Sequence, residues 1–137
     1  MEGRRRVVWL AALALSGVPI MAEEKAGEPP ADMKRHYLVL LSKGPAWTAE
    51  DTPETRSVGE GHMANIRRLA KSGALALAGP LEDGGDLRGI FILRADSLEA
   101  ARELAAQDPG VKAGRFAAKV YTMWLDARAL PVASGRP

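Results

Sequence analysis

A chain of 137 residues with a hydrophobic fraction of 47% is long and apolar enough for one domain with a filled core and short tails. Cysteine is absent, which excludes disulfides, cysteine-based zinc sites and thiol catalysis. The formal charge of +2 owes much to Arg4, Arg5 and Arg6; without residues 1–22, basic and acidic residues are equal in number, and no positive excess remains to drive nucleic-acid binding.

Residues 1–22 carry those three arginines ahead of an apolar run from Val7 to about Leu15, then Gly17, Pro19 and the small residue Ala22. This is the layout of a secretory signal peptide, and the run is too short for a comfortable membrane span. It predicts a periplasmic or secreted protein with no stable membrane anchoring after cleavage. Residues 23–34 are polar and contain two adjacent prolines, so they read as a disordered leader. The domain proper is expected over residues 35–126, with a loose tail at 127–137.

Residues 36–42 (HYLVLLS) are apolar on both faces, as in a central strand. Thr52 then offers a capping hydroxyl ahead of Pro53 at a first helical position. The helix that follows runs to Ser72 and places Val58, His62, Ile66 and Leu69 on one inner stripe. Gly59 and Gly61 each cost about 1 kcal/mol relative to Ala in a helix interior, which favours a regular start near Glu60. Arg67, Arg68 and Lys71 make a small basic patch, read as a solvated helix face.

A strand over residues 74–79 ends at the Gly79-Pro80 corner, and a Gly- and Asp-rich loop joins it as a hairpin to a strand over 88–95. Glu82, Asp83 and Asp86 in that loop do not follow calcium-loop spacing, and no metal is expected. Asp96 or Ser97 caps a second helix, with Glu99 placed for a capping box. That helix turns Leu98, Ala101, Leu104 and Ala105 inward and ends near Asp108-Pro109. Residues 110–114 read as a connector, and 115–125 as a closing strand apolar on both faces.

The order strand, helix, strand, strand, helix, strand is the ferredoxin-like βαββαβ pattern, an α+β fold. Two helices cover one face of its four-stranded antiparallel sheet. The other face is apolar as well, which predicts a homodimer packed sheet to sheet as an α+β barrel.

Two side chains stand out chemically. His62 lies on the apolar stripe, where it serves either as a core histidine bonded to backbone or as a general acid or base. Asp108 at the end of the second helix faces the negative end of the dipole, unfavourable by about 0.3–1 kcal/mol. It is either plain turn chemistry or a carboxylate that orients the imidazole. Gly79 and Pro80 form either an ordinary hairpin corner or one wall of a pocket.

Together, His62 with MANIRRLAKSG, the following ALALAGP to Pro80, GIFIL from Gly89, and SLEAARELAAQDP to Pro109 with GVKAG after it resemble the YCII-related domain (YciI-like) family over about residues 35–125. The resemblance implies a dimeric ferredoxin-like barrel and an active site with a His and an Asp, which fall on His62 and Asp108. It also implies small organic substrates, some relatives being dehydrochlorinases or parts of aromatic degradation. Two positions depart from the usual pattern: Ile90 stands where many relatives have Ser, and Gly110 where many have an aromatic residue. The expected function is a cofactor-independent enzyme moving a proton on a small organic substrate, an isomerase or lyase. The alternative is a non-catalytic dimeric module that binds a small ligand or serves a stress response, with His62 and Asp108 as contacts.

Overall fold

The computed structural model describes residues 28–130. In chain order the elements are β1 (Met33–Lys43), α1 (Pro53–Ser72), β2 (Leu75–Pro80), β3 (Leu87–Leu93), α2 (Leu98–Ala106), α3 (Pro109–Lys112) and β4 (Phe116–Asp126). The sheet has the strand order β2-β3-β1-β4, and all three neighbouring pairs are antiparallel. The doubly apolar β1 takes a central place, as its pattern demands. This is the α+β ferredoxin-like arrangement, with one short helix added before the last strand.

Strand alternation sorts the side chains. Tyr37, Val39 and Leu41 of β1 and Phe91 and Leu93 of β3 are buried together with Leu69 of α1 and Ala101 and Ala105 of α2. The alanines let α2 lie close to the sheet. Leu38 and Leu40 point the other way, opposite Ile92 and Ile90 on β3 and Tyr121 and Lys119 on β4. On that second face Leu77 and Tyr121 stay about 40% exposed.

Helix α1 starts where its cap is. The Thr52 hydroxyl accepts the Thr55 N–H at 3.2 Å, and the Thr55 hydroxyl accepts the Thr52 N–H at 2.9 Å, a reciprocal capping box. The helix is therefore regular from Pro53 and not from Glu60: capping and packing outweigh the cost of Gly59 and Gly61. It stops at Gly73 in the left-handed conformation.

Two expected boundaries move. β1 begins at Met33, inside the stretch expected as leader, because Met33 and Lys34 pair with Asp126 and Leu125 of β4. The start of the expected tail is also tied down, since the Ala127 N–H donates to the Asp32 carbonyl at 2.9 Å. The expected signal peptide, the leader up to residue 27 and the tail from 131 onward lie outside the described residues. No described helix is long and apolar enough to cross a membrane.

The largest difference concerns the second helix. It ends at Ala106, with Ser97 rather than Asp96 as its N-cap. Asp108 then begins the new helix α3 as its N-cap, with Pro109 at a first helical position. Asp108 thus faces the positive end of a helix, not the negative end, and part of the expected connector over 110–114 is helical.

Candidate functional site

Three elements meet at one buried carboxylate. Asp108 is fully buried, and a lone carboxylate in such a place is costly. Its neighbours satisfy it. Oδ1 accepts the Gly110 N–H at 2.9 Å and the Val111 N–H at 3.3 Å, both from the first turn of α3. Oδ2 accepts Asn65 Nδ2 at 2.9 Å, and His62 Nδ1 lies 2.9 Å from both oxygens. Burial pushes the carboxyl up, but the hydrogen bonds from His62 and Asn65, the charge of His62 and the Gly110 N–H outweigh it and hold Asp108 below its ordinary 3.8.

Two glycines make this approach geometrically open. A Cβ at Gly61 would sit 3.1 Å from Pro109 Cβ, so its absence lets α3 close on α1. A Cβ at Gly110 would fall 2.6 Å from Phe116 Cδ2 and 2.9 Å from Asp108 Oδ1. Gly61, which weakens the helix by propensity, thus gives α3 and its Pro109 room beside the turn that carries His62.

A carboxylate only accepts, so Nδ1 of His62 carries the proton that Asp108 binds. In the neutral ring Nε2 is then the basic nitrogen. Among the described residues Nε2 has no hydrogen-bond partner. The ring is held from its sides: Phe91 stacks at 5.7 Å and 20°, and Phe116 lies at 5.1 Å and 55°. His62, Phe91 and Phe116 line a cavity of about 420 Å³ whose other walls include Ile66, Gly79 and Pro80. That volume suits a small organic molecule.

His62 and Asp108 therefore meet within one chain, and Gly79 and Pro80 share the cavity with the histidine. Asn65 escaped sequence reasoning, although a residue three positions after His62 lies beside it on a helix. It is buried, and its Oδ1 accepts Arg68 Nη2 at 2.7 Å, so Arg68 also reaches the cluster from the expected solvated face. Phe91 and Phe116 read as core strand residues, and nothing in their local pattern marks them as cavity walls. Among the described residues no group of three His, Cys, Asp or Glu is placed to hold a metal. Asp86 instead lies 3.6 Å from Lys43.

Comparison with known proteins adds a family. The model of the YCII-related domain matches residues 36–125, from the first strand to the last. An uncharacterized protein of Haemophilus influenzae is 35% identical over 81 residues, which span 50% of this chain and 83% of the relative. Among solved structures, 5-chloro-2-hydroxyhydroquinone dehydrochlorinase (TftG) from Burkholderia phenoliruptrix AC1100, in complex with 2,5-dihydroxybenzoquinone, is 19% identical. It aligns with a TM-score of 0.43, covering 63% of this chain and 90% of that one.

Proposed function

The chain belongs to the YCII-related domain family, and we propose that it is a small enzyme that moves a proton on an organic substrate without a cofactor. One observation carries the proposal: a histidine whose Nδ1 is bound to a buried, fully hydrogen-bonded carboxylate and whose ring lines an apolar cavity. Nε2 takes a proton from a carbon or hydroxyl group of the bound substrate. Asp108 fixes the tautomer and balances the imidazolium that forms, and Asn65, Gly110 and Val111 hold Asp108 in place. Return of the proton to another atom gives isomerisation; departure of a leaving group as the electron pair moves gives elimination.

Proton transfer is tested by exchange. A panel of cyclic ketones, unsaturated lactones and chlorinated hydroxybenzenes in D₂O, followed by proton NMR, should show exchange or conversion of at least one compound by the wild type and none by His62→Asn. Equal rates in both proteins would sink the mechanism. A second reading, ligand binding without turnover, is favoured by the almost wholly apolar lining. It predicts saturable binding to the wild type with no exchange at any substrate carbon.

The proposal includes a homodimer through the open sheet face. Leu38, Leu40, Leu77 and Tyr121 would otherwise leave an apolar surface in water. A light-scattering mass matching one chain at micromolar concentration would remove that part. Export by residues 1–22 is likewise proposed, and is checked by the N-terminal sequence of protein recovered from the periplasm.

A further inference from the structure

Beside the cavity, three cations surround one indole ring. Trp47 lies in the segment between β1 and α1 and packs on the cavity residue Phe116 at 5.9 Å. The Arg115 guanidinium carbon is 4.6 Å from the Trp47 ring centre, that of Arg88 is 5.2 Å away, and Lys43 Nζ is 5.7 Å away. The indole face attracts each cation, yet the cations repel one another at this separation. Only Lys43 has a carboxylate within ion-pair distance among the described residues, the exposed Asp86. Arg115 donates to the Thr48 carbonyl at 3.2 Å and Arg88 to the Gly85 carbonyl at 3.2 Å, so both guanidinium groups bond neutral acceptors.

Arg88 also lines the cavity together with His62 and Phe116. Apart from His62 and Arg88 the cavity is lined by apolar residues, and Arg88 has no carboxylate within ion-pair distance among the described residues. Guanidinium groups bind oxyanions through paired N–H donors, and such charge-assisted bonds are about twice as strong as neutral ones. We propose that the ligand of this cavity is an anion: a small, flat molecule whose ring enters against Phe91 and Phe116 and whose carboxylate or ionised ring hydroxyl is bound by Arg88, with Arg115 and Trp47 completing the rim. This rests on the reading of the cavity as the substrate site and adds the charge class of the substrate. It makes Arg88 a specificity-determining residue. It also places a cation where negative charge gathers on substrate oxygen after Nε2 has taken a proton.

The test needs no turnover. Benzoate and its neutral counterpart benzamide are titrated into the full-length protein by NMR, and 4-nitrophenol is titrated above and below its own ionisation to separate phenolate from carboxylate recognition. The wild type should bind at least one of the two anions about tenfold more tightly than the matching neutral form. Arg88→Gln should abolish that preference while melting like the wild type, and Arg88→Lys should restore part of it. His62→Asn should keep it, so anion selection that persists in an exchange-dead variant separates this inference from the proton-transfer proposal. Equal binding of charged and neutral probes, no binding of either, or full preference in Arg88→Gln would each overturn it.

Discussion

The described chain holds two histidines, both largely shielded from solvent, and they differ in what they bind. His36 sits in β1 and is 6% exposed; its Nδ1 lies 3.0 Å from the backbone carbonyl of Lys34, two residues away. His62 sits on α1, and its Nδ1 meets a carboxylate that belongs to a residue 46 positions later. A carbonyl oxygen is a neutral dipole fixed by the local chain. A buried carboxylate is a charge held in place by donors from α1 and α3, elements far apart in the chain. His62 also opens on a cavity, which His36 does not line. The same ring with the same tautomer is a strand fixture in one place and a candidate base in the other.

That contrast can be broken most severely at His62. His62→Asn should lower proton exchange by about a hundredfold or more, while His36→Asn should leave it within about threefold. Comparable losses in both would erase the distinction. Next in size is Asp108→Ala, which strands three donors (His62 Nδ1, Asn65 Nδ2 and the Gly110 N–H) around an empty site and removes a helix cap, while the Val111 N–H keeps its bond to the backbone carbonyl at position 108. Urea unfolding should show a loss of about 2–4 kcal/mol.

Asp108→Asn sharpens the electrostatic half of the contrast. The folded carboxyl is held below its ordinary 3.8 by its partners, so the unfolded state takes up the proton first as pH falls. The stabilisation from Asp108 is therefore fully present above that ordinary value and is lost as pH drops through the folded one. Between pH 6 and pH 3 the wild type should lose more stability than Asp108→Asn. Parallel curves would mean that the charge contributes nothing. Asn65→Ala should cost about 1–2 kcal/mol and reduce exchange without abolishing it, since one of the four donors to the carboxylate goes.

The smallest expected effect on stability is at Gly61. Gly61→Ala gains about 1 kcal/mol of helix propensity but sets a methyl 3.1 Å from Pro109 Cβ, so the two terms nearly cancel. Its signature is in function: α3 must move away from α1, and exchange should fall while the melting temperature hardly changes.

The fold was legible because its signals are periodic. Alternation marked the strands, the 3.6-residue stripe marked α1, and Thr52-Pro53 marked its start. His62 and Asp108 were legible as two inward polar residues on apolar stripes. Their meeting was not, since nothing in spacing sets the relative depth of α1 and α3. The N-cap role of Asp108 was hidden behind its neighbour: Pro109 reads equally as the end of α2 and the start of α3. Asn65 and Arg88 carry no local signal of their roles, for different reasons. A polar residue on a helix looks solvated until its burial is known, and an arginine in a hairpin strand looks like an ordinary edge charge.

The bond from Arg68 to Asn65 has a consequence of direction. An asparagine amide is nearly symmetric in shape but not in chemistry: one end donates and the other accepts. Arg68 donates to Oδ1 and so leaves Nδ2 to face Asp108. Turned over, the amide would set oxygen against carboxylate and amine against guanidinium, a repulsion at both ends. A side chain on the outer surface of α1 thereby fixes the polarity of a contact at the buried anion, and the helix exterior keeps a hand on the site that its interior forms.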